Sequence, residues 1–455
     1  MNPKRLLTLT AFIGGLFMVD KAVGLLRQLI VARAYGVGAE LDAYNAANNL
    51  PDTLYTVISG GALAVAFIPL LSAALEHKGR ATLWELFSLV ANLALAITAV
   101  LALGMALFAQ PFVQYVVVPN FSPAQQSLVA DLMRLNLLAT LLFSISGLVA
   151  GGLQANQHFL LPALAPIVYD LGQIAGILFL GPTERLVEQW GDVPVLGPTL
   201  IAINNVSLNL GIYGFAYGTV FGAALHLLSQ VPGLVRYSFR WTPRLTVRHP
   251  GVQQVLRLMG PRVLTVAAFS AIFILNDNFA SGFPEGSISA LAFGWLLMQV
   301  PQTLIGTAGG IVLLPTLSEF VAQGKSGEVR ALIRRAVMVM TALTMPITVV
   351  AWLALPFVTP LVFDERAELV TLAGQMYLVG LVGHTLKEVT ARAFYAHQDA
   401  VTPLTTVLLN LAAFVLLALL LMPGLGFAAL ALANSLSFTL EVCVMLMLLH
   451  RRGWL

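Results

Sequence analysis

Two apolar segments between Phe17 and Ser72 carry Asp20, Lys21, Arg27, Arg33 and Asp42. A charged side chain at the centre of a bilayer costs about 2.5–3.5 kcal/mol even on insertion scales, so such groups face a water-filled path or a partner. On a helix, Asp20, Gly24 and Arg27 recur at i, i+4 and i+7, which puts acid and base on one face, with Lys21 one step away. The set can bind an anion such as a phosphate, Arg27 offering a planar fork of donors and Lys21 a mobile point charge. It can equally be an internal salt bridge that holds a bent helix. Asp42 heads the second segment and also has two readings, contact with a substrate or a cap on the positive end of its own helix.

A second group lies late in the chain, where His384, Glu388 and Arg392 fall at i, i+4 and i+8 beside Lys387. Glu388 and Arg392 are spaced to pair along one helix. The group is open to a structural role or to gating or proton coupling. Arg262 and Asp277 are isolated charges, read as cavity or rim residues. His158 and His226 read as satisfied histidines, because no second ligand stands at a metal-site spacing. The chain lacks a phosphate loop, an H-E-x-x-H pair, a nucleophile elbow and a carboxylate pair placed for glycosyl chemistry. It therefore reads as a transporter and not an enzyme, with no cofactor or metal. Its driving force is left among a sodium or proton gradient, the membrane potential and the substrate's own gradient.

The elements that hold these residues follow from composition. The 455 residues are 58% hydrophobic and 10% charged, against about 25% charged in soluble domains. The expected class is an all-α polytopic membrane protein. A net charge of +3, dispersed between apolar runs, leaves no basic stripe for nucleic acid. The single cysteine, Cys443, excludes an internal disulfide and reads as a packing residue. Lys4 and Arg5 precede an apolar stretch without a small-residue cleavage site, so a retained first helix is expected.

At about 20 apolar residues per crossing, twelve spans are expected, near 8–34, 43–75, 83–108, 127–153, 159–180, 212–235, 254–280, 287–318, 332–357, 368–395, 401–422 and 426–449. Pro51, Gly60-Gly61 and Pro69 interrupt the second span, a pattern tolerated at membrane depth where a cavity re-satisfies the backbone. Lys and Arg gather in alternate loops, at Lys78 and Arg80, at Arg236 to Arg248, at Lys325 to Arg335 and at Arg451-Arg452, which predicts both termini to be cytoplasmic. Residues 181–211 then form an outside loop. Residues 236–253 form a basic inside linker whose arginines recur every fourth residue, either as a helical stripe on an anionic leaflet or as ordinary positive-inside topology.

The linker divides the chain into similar halves. Ala155-Asn156-Gln157 with Pro162 recurs as Ala396-His397-Gln398 with Pro403, and Ile68-Pro69-Leu70-Leu71-Ser72 as Leu314-Pro315-Thr316-Leu317-Ser318. Two six-helix lobes of the same orientation are expected, 1–235 and 254–455, around a central cavity where a substrate is held.

Several stretches carry a family resemblance. They are Gly24-Leu25-Leu26-Arg27, Tyr35-Gly36, Asp42-Ala43-Tyr44 and Pro51, then Gly61 to Pro69, Tyr213 to Val220 with Gly222, Gln230 and Pro232, and Arg392-Ala393-Phe394-Tyr395-Ala396 with Asp399, Thr402 and Pro403. In these the chain resembles the MurJ/MviN family of lipid II flippases, within the multidrug/oligosaccharidyl-lipid/polysaccharide exporter superfamily. The resemblance implies a two-lobed, alternating-access transporter with a cationic cavity, in a bacterial cytoplasmic (inner) membrane. Its implied substrate is lipid II, the undecaprenyl-pyrophosphate-linked peptidoglycan precursor, moved from the inner to the outer leaflet. Its implied partners are that lipid, the surrounding membrane lipids and other cell-wall synthesis proteins.

By the same resemblance Arg27 and Asp42 match positions associated with transport, and Lys21 stands where the family usually has a cavity arginine. Tyr55 and Leu296 stand where other members have arginines, and the chain ends at Trp454-Leu455, before two further helices common in the family. Three other readings remain open: export of another polyprenyl-linked glycan, export of drugs or small cations, and a non-transporting scaffold for envelope synthesis.

Overall fold

The computed structural model describes residues 3–58, 61–363 and 366–455, with their side chains except at 3–14, 61–66, 258, 261–262, 308 and 311–312. Among these residues every regular element is a helix. The chain forms two compact units, one of Met1–Gly36, Ala46–Tyr115 and Ser122–Val266, the other of Val37–Asn45, Val116–Phe121 and Ala267–Leu455.

The major helices of the first unit are α1 (Pro3–Tyr35), α2 (Ala39–Ile58, whose residues up to Asn45 belong to the second unit), α3 (Gly61–Lys78), α4 (Arg80–Leu107), α5 (Pro123–Ala155), α6 (Leu160–Leu180) and α7 (Ile212–Leu228). α6 and α7 pack backbone to backbone because glycines line both faces. A Cβ added at Gly176 would lie 2.2 Å from the Gly218 Cα, and one at Gly172 would lie 2.5 Å from the Gly222 Cα. Gly214, Gly218 and Gly222 recur every fourth residue, the small-residue stripe by which membrane helices approach closely. Between α4 and α5, Gly152 admits the rings of Trp84 and Phe87.

The connections differ from expectation. Residues 181–211 contain two short helices, Glu184–Trp190 and Leu196–Asn204, joined at their ends by a 2.6 Å hydrogen bond from Thr183 to Asn204. The basic linker has no regular secondary structure from Phe239 to Thr246, so its arginines do not form a helical stripe. Pro243 and Pro250 explain this, since each removes a backbone donor and biases the preceding residue away from helix. The linker is instead strapped along α4. Trp84 donates to the Tyr237 carbonyl at 2.9 Å, Asn92 donates to the carbonyls of Thr242 and Arg244 at 2.8 and 2.9 Å, and Trp241 donates back to Asn92 at 2.7 Å. Phe239 closes the strap edge-on against Trp84 and Phe87.

The second unit receives α8 (Pro250–Ala280), which begins in the first unit, and then contains α9 (Ser287–Gln302) and α10 (Ala308–Ala322), joined by a π-turn at Thr303–Thr307. It continues with α11 (Ser326–Val362), α12 (Ala367–Leu378), α13 (Leu381–Ala396), α14 (Val401–Leu425) and α15 (Ala428–Arg451). α12 and α13 meet at a 44° bend. Leu317, Ile333, Val389, Phe394, Met445 and Leu449 form a core from α10, α11, α13 and α15. Cys443 is exposed on α15 and does not pack as expected.

Among the described residues nine helices are long and apolar enough to cross a membrane, ten if the bent α12–α13 pair is one span. Of the twelve spans expected, the first two, 8–34 and 43–75, are not in this set, and the side chains of residues 3–14 in α1 and 61–66 in α3 lie outside the described ones. The expected span 43–75 is two helices, α2 and α3.

The duplicated motif is a duplication of backbone. Gln157 and Gln398 both take φ 60° after the ends of α5 and α13. The amides of His158 and Asp399 then reach back to the carbonyls of Leu153 and Phe394, at 2.9 and 3.0 Å. Each helix therefore ends in the same left-handed corner, which satisfies an orphan carbonyl of its last turn.

Candidate functional site

In the first unit the face of α1 predicted from spacing meets α6. A Cβ at Gly24 would lie 3.2 Å from an Asp170 carboxylate oxygen, so the small residue between Asp20 and Arg27 gives that acid room. Arg27 donates to Asp170 at 2.8 Å and to Gln173 at 2.6 Å. Gln173 donates in turn to Thr219 at 2.7 Å, and Thr219 to the Phe215 carbonyl at 3.0 Å, which carries the network onto α7. Lys21 lies 3.1 Å from Asp20 with its side chain 75% exposed, whereas the Arg27 side chain is 19% exposed. Arg27 is thus the anchored cation of the group and Lys21 the accessible one.

Asp42 is a cap, but on a different helix from the one expected. Its carboxylate accepts from the Gly286 amide, the Ser289 amide and the Ser289 hydroxyl, each at 2.6 Å. These are orphan donors at the start of α9, so the acid of α2 neutralises the positive end of α9. Gly286 supplies the left-handed N-cap at φ 92°. The same corner is closed by Arg366, which donates to the Glu285 carbonyl at 2.5 Å.

The second group lies on α13. Glu388 and Arg392 pair along the helix, and Arg392 also donates to the Glu388 carbonyl at 2.9 Å. Lys387 reaches across to the fully buried Glu441 of α15 at 2.8 Å, with its ammonium 4.4 Å from the centre of the Phe438 ring. Asn410 and Thr406 of α14 complete the Glu441 shell at 2.6 and 3.3 Å. A buried carboxylate with three donors is the arrangement that makes an ionised pair tolerable in an apolar interior. His384 is buried between Trp295 and Phe438, and its Nε2 has no hydrogen-bond partner among the described residues.

Arg262 lies on α8, its side chain outside the described residues. Asp277 is buried and not a rim residue. His226 is satisfied by Ser146 at 2.6 Å. His158 is not, since its Nε2 has no partner among the described residues and its ring meets Tyr237. Burial and the nearby Arg236 guanidinium hold the imidazole of His158, in the α5–α6 connection, below its ordinary pKa. Tyr55 packs on Phe143 at 5.5 Å between ring centres.

The sequence reading missed Asp170, Gln173 and Glu441. Asp170 and Glu441 were findable as lone acids inside apolar runs, the signal used for Asp20.

Membrane-length helices with charges paired between them define a multi-pass helical membrane protein. The family profile described as lipid II flippase MurJ matches residues 31–455, and the chain belongs to that family. A lipid II flippase MurJ of Burkholderia cenocepacia is 28% identical, over 97% of this chain and 83% of its own length. A solved lipid II flippase MurJ in an inward closed conformation shares the fold with a TM-score of 0.78 at 18% identity, covering 98% of this chain and 89% of its own. An inward-facing multidrug resistance MATE family transporter of the MOP superfamily follows at 0.72 and 14%, covering 96% and 98%.

Proposed function

We propose that this chain moves lipid II from the inner to the outer leaflet of a bacterial cytoplasmic membrane by alternating access, with both termini cytoplasmic. The observation that carries this reading is family membership across residues 31–455, which takes in every candidate site residue described above except Asp20, Lys21 and Arg27. Those three supply the physical support. A pyrophosphate head group needs a cation that can leave its partner, and the exposed Lys21 meets that need at little desolvation cost. Arg27, tied to Asp170 and Gln173, orients that part of α1 and contributes charge from a fixed position.

Complementation tests the reading. A bacterium depleted of its own lipid II flippase is given this chain, and growth and outer-leaflet lipid II are measured. Rescue of both supports it. Failure with abundant, well-inserted protein overturns it in favour of another polyprenyl-linked glycan or of drugs or small cations.

A further inference from the structure

The first unit holds a second polar feature, an open cavity that includes the exposed Asp52 and meets the Arg27 network at Thr219. The cavity, of about 290 Å³, lies among α2, α5, α6 and α7. Its walls are helical stripes: Asn48, Asp52 and Tyr55 on α2 at i, i+4 and i+7, and Asn136, Thr140 and Phe143 on α5 at i, i+4 and i+7. At about 30 Å³ per water, the space holds an ion together with several waters.

Two observations indicate a ligand. Asn136 is 1% exposed, yet neither its amide nitrogen nor its amide oxygen has a hydrogen-bond partner among the described residues. A buried amide left in that state costs about 1–3 kcal/mol, a cost that an ion or water held in the cavity would offset. Asp52 is the one carboxylate among the residues lining the cavity, no Lys or Arg lines it, and no ion pair reaches Asp52 among the described residues. His226, the other ionisable side chain besides the tyrosines, is already engaged by Ser146.

We propose that this cavity is a binding site for a small, hard monovalent cation of the size of Na⁺. The Asp52 carboxylate supplies the charge, and the Asn136 and Asn48 amide oxygens and the Thr140 hydroxyl supply neutral donors. The Thr140 proton is directed at the carbonyls of Pro51 and Asn136, at 3.2 and 3.0 Å, which leaves an oxygen lone pair for the ion. Oxygen donors without thiolate suit a hard ion, and one carboxylate is too little charge for a tight divalent site. The inference is independent of lipid II being the cargo.

Radiosodium binding to the purified full-length chain in detergent tests it, with ionic strength held by choline chloride. Saturable binding is expected, displaced by excess Na⁺ more readily than by K⁺ and not by choline. Asp52→Asn should weaken it by about tenfold or more, and Asp52→Glu should keep most of it. Asn136→Ala, which leaves the carboxylate in place, is the second variant and should weaken binding several-fold with helicity unchanged and sodium-free melting not lowered. Absence of saturable binding in the wild type, or binding untouched by both Asp52→Asn and Asn136→Ala, overturns the proposal and leaves a water-filled cavity. Failed complementation with sodium binding intact would remove the flippase reading and leave this site standing.

Discussion

Asp42 and Ser289 are joined by two hydrogen bonds, both 2.6 Å, to one carboxylate oxygen, although 247 residues separate them in the chain. A position that the family resemblance associates with transport is therefore also a long-range helix cap. Asp42→Ala should lower stability by about 0.5–2 kcal/mol through loss of the cap, and Ser289→Ala, which keeps the amide donor, by less. Thermal unfolding of both variants beside their flipping activity separates the two roles. Equal melting temperatures for wild type and Asp42→Ala would show that the cap contributes nothing.

Arg27→Ala should abolish flipping while membrane insertion stays intact, and Arg27→Lys should restore only part of it, since an ammonium cannot reproduce the fork that meets Asp170 and Gln173. Flipping by Arg27→Ala at the wild-type rate would remove Arg27 from the mechanism. Asp170→Asn isolates the pair, because the uncharged partner keeps a hydrogen-bond acceptor for the guanidinium.

Helices α6 and α7 offer a steric prediction. Gly176→Ala puts a methyl group 2.2 Å from the Gly218 Cα and must force the helices apart, with a loss of about 1–3 kcal/mol or more. Gly104→Ala in α4 meets nothing within 4 Å and should gain up to about 1 kcal/mol from helix propensity. Melting temperatures that fall for the first and hold or rise for the second are expected.

Asp399, in the connection between α13 and α14, predicts a pH dependence. Burial alone would raise its pKa, but hydrogen bonds from Thr402 and the Arg452 guanidinium outweigh it and hold the carboxyl at about 2, below the ordinary 3.8. A depressed folded pKa means stability that is fully present above pH 4 and is lost as pH falls from about 4 through about 2. Asp399→Asn should flatten the acid limb of a melting-temperature profile in that window and leave the profile near pH 7 parallel to wild type.

The paired corners at Gln157 and Gln398 are strained for any residue with a Cβ. Gln157→Gly and Gln398→Gly should each change stability by less than about 1 kcal/mol, because relief of strain offsets the extra freedom of the unfolded chain. A loss well above that, measured by thermal unfolding, would reveal a contact of the glutamine side chain that matters more than its backbone.

What the sequence disclosed depended on range. The shared face of Asp20, Gly24 and Arg27 was legible because helical periodicity is local, but Asp170 and Gln173 lie 143 and 146 residues beyond Arg27 and no local rule pairs them. The capping chemistry of Asp42 was legible in kind, while the helix it caps was not. The linker shows a different failure. The four-residue spacing of its arginines imitated a helix, and the local signal that should have prevailed was Pro243 with Pro250. Glu441 was visible as an acid in an apolar run, but its partner Lys387 lies 54 residues away and no local rule pairs them.

The strap along α4 has a mechanical consequence. A free connection between α7 and α8 would behave as a spring with length to spare, absorbing displacement of either helix. With Tyr237, Trp241, Thr242 and Arg244 each fastened to Trp84 or Asn92, only the few residues from Leu245 to His249 remain as slack. A pull on the start of α8 is therefore delivered to the side of α4, and the tether acts as a short rigid link whose stiffness rests largely on the one amide of Asn92.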